Sequence, residues 1–410
     1  MHTFGRSPVE FVEGHGMKLT GDDGREYLDF LAGIGVCSLG HGDPAVLSAL
    51  EAQTKKLMHV SNYFYIEQRG QVAALLSKLA NDDVDGARVL ADAIVAGDET
   101  TAAALGAPAA DEQVWETFFA NSGAEANEGA IKCARKYSVD TYGESRNKVI
   151  TLVNSFHGRT LATLTATGQD VFHNYFFPFV EGFVNVPAND IDALRKLIAE
   201  DKTICAVMFE FVQGEGGVNP LDKAFVDEIF KLCGENDILT VADEVQTGVG
   251  RTGAILTSMR YGVKPDITTL AKGIAGGVPM GACLADEKCA GVLVKGTHGS
   301  TFGGNPLACA GGNVVLDTVS SEGFCDEVIA KGEYFRKKLA EIPEVEGVDG
   351  MGLMLGVRLK TKKAADILSA AAENGLLILT AKEKLRFLPP LTITYEEIDK
   401  GMEILKKLLA

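Results

Sequence analysis

The sequence lacks the marks of several protein classes. No apolar run approaches the roughly 18–20 residues that a membrane-spanning helix needs, and residues 1–8 contain no apolar segment of the kind that directs secretion. The dipeptide Gly-Lys of a phosphate-binding P-loop does not occur. The 8 cysteines form no Cys-x-x-Cys pair, and several fall within apolar or helical patterns. We therefore expect reduced, buried thiols in a cytoplasmic protein, without a disulfide framework, a zinc site or another metal site.

Positive charge is also scarce. The chain has 39 lysines and arginines against 56 aspartates and glutamates, and its formal net charge is −17 at pH 7. This excess of negative charge speaks against nucleic acid or an anionic membrane as a partner. A ligand that carries phosphate or carboxylate groups must then be held by local hydrogen-bond donors that overcome the repulsion.

What the chain does contain is an alternation of strand-like apolar runs with helix-like segments, which predicts an α/β fold. Asp43-Pro44 predicts the start of a helix. Buried strands are expected at 115–120, 148–153, 204–210 and 238–243. From about Phe324 the pattern becomes that of a smaller α+β domain. Its expected helices lie near 326–341, 363–374 and 395–409, and its expected strands at 354–359 and 376–379.

One segment departs from this pattern. Residues 82–113 are rich in alanine, weakly acidic and free of aromatic residues, and they show little amphipathic order. This composition predicts a surface loop or insertion.

Lys272 is the strongest candidate for chemistry. It lies in Thr-Leu-Ala-Lys-Gly-Ile-Ala-Gly-Gly (269–277), with a strand-like run before it and glycines after it, and Asp243 ends another apolar run upstream. At adjacent strand ends, such a pair can hold the two ends of pyridoxal phosphate (PLP). The lysine forms a Schiff base, and the aspartate keeps the ring nitrogen protonated. The ordinary alternative is a solvated surface lysine.

The segment 121–128 (Asn-Ser-Gly-Ala-Glu-Ala-Asn-Glu) follows a predicted strand and opens a long helix. Ser122 can cap that helix, and Gly123 lets a ligand approach the backbone closely. The free N–H groups of the first turn then form an anion site. A plain capped helix is the alternative.

The segment 155–160 (Ser-Phe-His-Gly-Arg-Thr) follows another predicted strand. Phe156 could cover one face of an aromatic cofactor, and Arg159 could bind a substrate carboxylate with two hydrogen bonds. His157 has no matched partner in the sequence, so we favour a packing or ring-contact role over that of a general base. Glu210 and Glu215, which flank the next loop, are best interpreted as counter-ions to an arginine.

Three further segments invite other interpretations. Residues 248–253 read G-x-G-x-x-G, but they come several residues after their strand and lack the ribose-binding carboxylate, which disfavours a dinucleotide site. Residues 238–244 resemble a Walker-B strand without a P-loop. In 299–306, Ser300 and Thr301 offer hydroxyl groups to a phosphate or carboxylate, although a polar turn explains the segment equally well.

Taken in this order, these segments resemble the class III (ornithine-type) PLP-dependent aminotransferases, from about Pro8 to the C-terminus. The resemblance implies PLP fold type I (aspartate aminotransferase-like), with a mostly parallel sheet in the large domain and a smaller α+β domain. Residues 1–50 would join the small domain, 51–309 would form the large PLP-binding domain with 82–113 as a surface insertion, and 310–410 would form the C-terminal small domain. It also implies a homodimer with shared active sites, acting on amino-acid and 2-oxo-acid substrates.

The same resemblance implies a role for each matched position. Lys272 matches the Schiff-base lysine and Asp243 the partner of the pyridine nitrogen. The other positions that match the cofactor site are Ser122, Gly123, Ala124, Phe156, Glu244, Val245, Gln246 and Thr301. The positions that match the substrate site are Arg159, Ser300, Glu215, Arg386 and Ile34.

Several of these roles are specific. Gln246 resembles the residue that bonds the phenolic oxygen, and Thr301 the residue that reaches the phosphate across the dimer interface. Arg159 resembles the arginine that holds the substrate α-carboxylate. Glu215 and Arg386 resemble a pair in which the glutamate masks a second carboxylate-binding arginine.

The expected reaction is transamination of N2-acetyl-L-ornithine with 2-oxoglutarate. Ile34 stands where enzymes that use free ornithine are expected to carry a tyrosine for its α-amino group, and an apolar side chain suits an acylated amine. Ornithine, N-succinylornithine and 4-aminobutyrate remain alternative donors, and a PLP-binding protein without activity is a remote alternative.

Overall fold

The computed structural model describes residues 1–108 and 112–410. No helix within these ranges is both long and apolar enough to cross a membrane. The strands are β1 Phe11–His15, β2 Lys18–Gly21, β3 Glu26–Asp29, β4 Glu116–Ala120, β5 Lys148–Leu152, β6 Phe183–Val186, β7 Ile204–Phe209, β8 Val212–Gln213, β9 Asn219–Pro220, β10 Leu239–Asp243, β11 Ile267–Leu270, β12 Gly281–Ala285, β13 Val345–Met351, β14 Met354–Leu359, β15 Leu376–Leu377, β16 Leu379–Ala381 and β17 Lys384–Phe387.

The helices alternate with these strands along most of the chain. They are α1 Ala32–Gly35, α2 Pro44–Lys56, α3 Glu67–Ala80, α4 Val84–Ala96, α5 Glu99–Gly106, α6 Gly123–Tyr142, α7 Leu161–Ala166, α8 Ile191–Glu200, α9 Lys223–Asn236, α10 Thr257–Tyr261, α11 Pro306–Ser320, α12 Phe324–Ala340, α13 Ala364–Glu373 and α14 Tyr395–Leu409. Short 3₁₀ turns span Asp170–Phe172 and Lys272–Ala275. The segment α1 is a single turn with left-handed backbone angles.

The central sheet has the order β4–β12–β11–β10–β7–β5–β6. Strands β11, β10, β7, β5 and β6 run parallel, whereas β12 is antiparallel to both of its neighbours. Every residue of β7, β10, β11 and β12 is buried, as expected of a sheet covered by helices on both faces. The predicted α/β fold with a mostly parallel sheet is thus confirmed. The carboxyl ends of the parallel strands meet at one edge, the usual place for a ligand.

The smaller sheets bring the two ends of the chain together. One has the order β1–β2–β3–β15, and its parallel pair β3–β15 joins Leu28 to Leu376. The other has the order β13–β14–β17–β16. The domain limits at 50 and 310 remain predictions.

Most predicted elements are confirmed to within one or two residues at their ends. The four predicted strands correspond to β4, β5, β7 and β10, and the helices of the C-terminal part to α12, α13 and α14. The cap that Asp43-Pro44 predicts is present, because the Asp43 carboxylate accepts the N–H groups of Ala45 and Val46.

The prediction of a loop at 82–113 is wrong for residues 82–108, the helical part of this segment that the structure describes. This segment contains α4 and α5, and residues 109–111 lie outside the described ranges. Helix α4 is capped by Asp83, ends at Gly97 in the left-handed conformation, and buries Leu90 among the residues of the main core. The prediction failed because alanine-rich helices show weak periodicity, although the caps could be read from the sequence.

Candidate active site

Two neighbouring parallel strands bring Lys272 and Asp243 to the same edge of the central sheet. Asp243 is the last residue of β10 and pairs with Thr269 on β11, and Lys272 follows shortly after β11 ends. Lys272 has a φ of 47°, a left-handed conformation that costs a non-glycine residue about 1–2 kcal/mol. Such strain persists where surrounding contacts hold it, and it clusters at functional sites.

A cavity of about 220 Å³ lies at this edge. It is lined by Gly123, Ala124, Asn127, Phe156, His157, Gly158, Arg159, Asp243, Val245, Gln246 and Lys272. Most of the residues predicted to hold a cofactor therefore converge on one space. Asn127, His157 and Gly158 had no predicted ligand role.

The amino group of Lys272 is poised for reaction. The residue is partly accessible through the cavity, but protein encloses its amino group. This burial lowers the pKa of Lys272 from its ordinary 10.5 to about 8, an effect that Asp243 opposes and Arg386 reinforces. A pKa near 8 leaves an appreciable fraction of neutral amine near neutral pH, and the neutral amine is the nucleophile.

Asp243 is held by three hydrogen bonds on its buried carboxylate. One oxygen accepts the Val245 N–H at 3.0 Å. The other lies 2.7 Å from Asn127 Nδ2 and 2.8 Å from Nδ1 of His157. Donors that surround a carboxylate in this way fix its direction.

His157 is buried and lines the cavity, a position that is compatible with the packing or ring-contact role we favour. The contact between its Nδ1 atom and Asp243 orients that carboxylate. A hydrogen bond to a carboxylate also fixes the tautomer of the imidazole ring. Its Nε2 atom has no hydrogen-bond partner in the described ranges. The sequence could not show this contact, because 86 positions separate the two residues.

Asn127 is the functional candidate that sequence reasoning missed. Its side-chain amide donates to the His157 carbonyl and to Asp243, both at 2.7 Å, and its carbonyl accepts the Thr269 hydroxyl at 2.7 Å. One side chain on α6 thus connects β10, β11 and the segment 155–160. Its position one helical turn after Gly123 was the available signal.

The first turn of α6 approaches the end of β10 closely. Ser122 caps the helix by accepting the Glu125 N–H at 3.2 Å, but its side chain does not line the cavity. A Cβ on Gly123 would lie 2.6 Å from a methyl carbon of Val245. Glycine is thus required, and it leaves the N–H end of a 20-residue helix facing the cavity.

Arg159 is placed by aromatic rings at the mouth of the cavity. Its guanidinium lies 4.0 Å from the centroid of Phe172 and 5.5 Å from that of Phe156. The two phenylalanine rings contact each other edge to face, with 5.9 Å between their centroids. Phe172, to which sequence analysis assigned no role, thus supports a cation–π arrangement that leaves the exposed guanidinium free to bind an anion.

Arg386 reaches the cavity through Gln246. It is 1% exposed and donates to Glu215 and to the side-chain oxygen of Gln246, each at 2.6 Å. The ion pair with Glu215 agrees with the counter-ion interpretation. Gln246 itself lines the cavity, so it connects Arg386 to that space.

Glu210 has no arginine partner in the described ranges, unlike Glu215. Its carboxylate accepts the backbone N–H groups of Phe156 at 2.9 Å and Gly214 at 3.3 Å. Burial raises the pKa of Glu210 to about 7, with His157 opposing the shift and Asp243 adding to it. The counter-ion interpretation is wrong for this residue, which instead anchors two loops of the site.

Ser300, Thr301 and Ile34 are not among the residues that line the Lys272 cavity. Ser300 and Thr301 line a neighbouring cavity of about 490 Å³, with Asn121 and His298. Ile34 is 41% exposed, on the α1 turn that packs against the Lys272 segment. Within one chain, therefore, the cofactor residues are assembled and these outer residues are not.

The side chain of Glu244 also points elsewhere, which corrects the prediction that it lines the cofactor site. Its carboxylate accepts the N–H groups of Thr257 at 2.5 Å and Ser258 at 2.9 Å, at the start of α10. Burial raises the pKa of Glu244, and these N–H groups oppose the shift. Its neighbour Val245 does line the cavity.

The loop 248–253 has a structural role. Gly250 and Gly253 adopt φ values of 82° and 86°. Between them, the buried Arg251 donates to the carbonyls of Leu353 at 3.1 Å and Pro389 at 2.5 Å. The glycines of this motif thus turn the chain so that Arg251 holds the C-terminal strands near Arg386.

Comparison with known proteins supports a common architecture. The family model described as aminotransferase class-III matches residues 3–409. The acetylornithine aminotransferase of Haemophilus ducreyi is 46% identical over 409 residues, which cover 100% of this chain and 95% of that protein.

Solved structures agree with this result. The N-acetylornithine aminotransferase of Stenotrophomonas maltophilia matches with a TM-score of 0.80 and 34% identity, covering 99% of this chain and 96% of that chain. The ornithine aminotransferase of Toxoplasma gondii matches with a TM-score of 0.84 and 31% identity, covering 99% and 91%. Backbone similarity thus extends to enzymes with both donors.

Proposed function

Because this chain belongs to the class III aminotransferase family, whose members depend on PLP and whose fold is PLP fold type I, we propose that it is acetylornithine aminotransferase. It would transfer the terminal amino group of N2-acetyl-L-ornithine to 2-oxoglutarate, giving N-acetyl-L-glutamate 5-semialdehyde and L-glutamate in arginine biosynthesis. The observation that carries the proposal is the convergence of Lys272, Asp243 and Arg159 on one cavity.

The residues around this cavity suit PLP. Lys272 offers an amine of lowered pKa, and Asp243 a carboxylate fixed by three donors. Gly123 and Ala124 present the N-terminal turn of α6, which suits a phosphate group. Phe156 supplies an aromatic face, and Gln246 a free amide nitrogen for a phenolic oxygen. The N–H groups of the α6 turn and the Gln246 amide also supply the local attraction for an anionic cofactor that a chain of net charge −17 needs.

Each residue then has a defined task. Bound PLP supplies an electron sink that stabilises negative charge at the carbon that carries the substrate amine. Asp243 would hold the proton on the ring nitrogen, and the hydrogen bonds from His157 and Asn127 orient its carboxylate. Nζ of Lys272 would carry a proton from the substrate carbon that bears the amine to the cofactor, and in the opposite direction when 2-oxoglutarate is aminated. These tasks recur when the second substrate enters, which gives ping-pong kinetics.

Two arginines allow one site to accept two substrates. Arg159 would bind the α-carboxylate of acetylornithine, which lies at the far end of the chain from the reacting amine, and the corresponding far carboxylate of 2-oxoglutarate. The ion pair with Glu215 would keep Arg386 from competing with Arg159 for the single carboxylate of the donor. The second carboxylate of 2-oxoglutarate would displace Glu215 and pair with Arg386. The acetyl group leaves no free α-ammonium to recognise, in keeping with an isoleucine at position 34.

We also infer that a second copy of the chain completes the site. The aromatic segment 63–65 is exposed, with Tyr63 at 93%, Phe64 at 62% and Tyr65 at 104%. Asn62 links this segment to the loop of Ser300 and Thr301, by hydrogen bonds to the carbonyls of Ser300 at 2.7 Å and Gly303 at 3.2 Å. Exposed aromatic residues beside a polar loop are typical of a protein interface. A partner on this face would bring Thr301 to the other protomer's cofactor.

The test combines Lys272→Ala with a panel of donors. The purified holoenzyme should show the visible absorption of lysine-bound PLP, and Lys272→Ala should abolish both this band and turnover. Lys295→Ala, on an exposed lysine, is the matched control. In single half-reactions, acetylornithine should give a higher kcat/KM than N-succinylornithine, ornithine or 4-aminobutyrate. An unchanged spectrum in Lys272→Ala would refute the PLP assignment, and a preference for free ornithine would refute the donor.

A further inference from the structure

A partly buried ion pair between Asp29 and His41 joins the two ends of the loop 30–40. Asp29, the last residue of β3, is 1% exposed, and one carboxylate oxygen lies 2.7 Å from Nε2 of His41. The other oxygen accepts the backbone N–H groups of Leu31 and Ala32, each at 2.9 Å. Hydrogen bonds with Asp29 and with Cys37 raise the pKa of His41 to about 10, so its ring is protonated at neutral pH. We call Asp29 and His41 the loop clamp.

The clamp holds an unusual backbone. Ala32, Gly33, Ile34 and Gly35 have φ values of 47°, 64°, 68° and 72°, which makes four consecutive left-handed residues. Residues other than glycine adopt left-handed backbone angles rarely and as single residues. Ala32 and Ile34 carry a Cβ atom, so they lack the conformational freedom of glycine. Such a backbone persists only where its surroundings determine it. The Ala32 N–H that Asp29 accepts belongs to the first left-handed residue.

His41 is itself firmly anchored. Its backbone N–H and C=O pair with Gly16 at 2.9 and 2.8 Å, so it is attached to the β1–β2 hairpin. A Cβ on Gly14 would lie 2.8 Å from the Cβ of His41, which shows how closely the hairpin packs on it. The clamp therefore ties the left-handed turn to a rigid sheet.

The clamped loop contacts both sides of the candidate active site. A Cβ on Gly273, the neighbour of Lys272, would lie 2.2 Å from the Ser38 hydroxyl. On the other side, the carbonyls of Phe30 and Ser38 accept N–H groups at 2.8 and 2.7 Å from the segment that follows Arg386. Ile34, in the left-handed turn between these contacts, is 41% exposed. The turn thus fixes the position of Ile34 relative to the Lys272 and Arg386 segments.

We propose that Asp29 and His41 are positioning residues for the choice of amine donor, because they hold the left-handed turn that presents Ile34. The inference rests on the proposed function, in which Ile34 faces the acyl end of the donor. Neither clamp residue lines the Lys272 cavity. Loss of the clamp should therefore change donor selection before it changes cofactor chemistry.

The experiment compares Asp29→Ala with Glu13→Ala in the holoenzyme. Glu13 pairs with His15 at 3.0 Å, an acid–histidine pair of the same kind whose side chains are exposed. In Asp29→Ala, the ratio of kcat/KM for acetylornithine over ornithine should fall about tenfold, which corresponds to about 1.4 kcal/mol. The change should come mainly from the donor KM, while the 2-oxoglutarate half-reaction changes less than about twofold. Glu13→Ala should match the wild type.

Two further variants separate positioning from general destabilisation. The double variant Asp29→Ala/Ala32→Gly should recover part of the lost ratio, because glycine adopts the left-handed conformation without strain. His41→Gln keeps a neutral hydrogen-bond donor and should give a smaller loss of about threefold. Amide hydrogen exchange should accelerate across 30–38 in Asp29→Ala and not in Glu13→Ala.

The outcomes distinguish the two proposals. If the wild type prefers ornithine, the proposed donor is wrong, yet the clamp still predicts that the donor ratio moves in Asp29→Ala. If the wild type prefers acetylornithine and the ratio stays within about twofold in both Asp29→Ala and His41→Gln, the clamp proposal is overturned and the proposed function stands. Should Asp29→Ala fail to fold, His41→Gln and its exchange profile decide the question. An Asp29→Ala defect that Ala32→Gly leaves unchanged would also refute the clamp.

Discussion

The inner and outer halves of the candidate active site are built in different ways. The inner half, which we define as Lys272, Asp243, Asn127 and His157, lies around the strand ends of the central sheet. Hydrogen bonds of 2.7–2.8 Å tie Asp243, Asn127 and His157 together within one chain. The outer half, which we define as Ile34, Ser300 and Thr301, lies on loops at the rim, and Ser300 and Thr301 line a separate cavity. The comparison teaches that the residues around Lys272 are brought together within one chain, whereas the residues we propose for substrate selection lie on loops.

The largest expected effect comes from breaking the inner half at Asp243. Asp243→Asn keeps the shape of the side chain but removes the charge that holds a proton on the cofactor ring, so kcat should fall about 10²–10⁴-fold. Both half-reactions should be affected alike, as stopped-flow measurements with each substrate would show. Asp222→Asn, on an exposed aspartate, is the control. A defect confined to one half-reaction would contradict the shared role of Asp243.

The next effect addresses the outer half through mixed dimers. Co-expressed Lys272→Ala and Thr301→Ala chains should form hybrids in which one site has both native residues. Random pairing of two kinds of chain then restores about a quarter of the wild-type sites. Activity should exceed that of either variant alone. If the mixture shows only the average of the two separate preparations, the shared-site dimer is refuted.

The smallest expected effect lies at the border between the halves. Phe172→Leu removes the ring beneath Arg159, and cation–π contacts at exposed sites contribute about 0.5–1 kcal/mol, so kcat/KM should fall about two- to fivefold. Because Arg159 would bind both substrates, both KM values should rise together. Phe176→Leu alters an exposed ring nearby and serves as the control. A rise in only one KM would show that Phe172 does not act through Arg159.

The same division marks what the sequence could predict. Lys272, Asp243 and Gly123 could be identified because strand ends and a capped helix leave local signals, and the parallel sheet brings those signals together. Asn127 was missed because its role depends on three elements that only the fold brings together. Phe172 was missed because an aromatic residue in a short 3₁₀ turn gives no local signal of the arginine that it contacts.

Two other failures have physical causes. The sequence pattern predicts a loop where α4 and α5 lie, because short alanine side chains bury little surface and give weak periodicity. The positions of these helices are therefore determined by tertiary packing. The left-handed turn at 32–35 gave no warning, because Ala32 and Ile34 are residue types that avoid it. The positions of Ser300 and Thr301 relative to a cofactor depend on a second copy of the chain and stay a prediction.

The reversed strand β12 has a consequence for how the protein is made. It separates β4 from β11, and Gly281 pairs with Ala120, just before the helix that faces the cavity. A Cβ on Gly281 would lie 2.4 Å from the Ser122 carbonyl, so this junction closes around the strand. At about 5–20 residues per second, the ribosome needs roughly 8–32 s to pass from position 120 to position 281. During that interval the first turn of α6 lacks its contact with β12. A chain whose synthesis stops before β12 would therefore have an incomplete anion site.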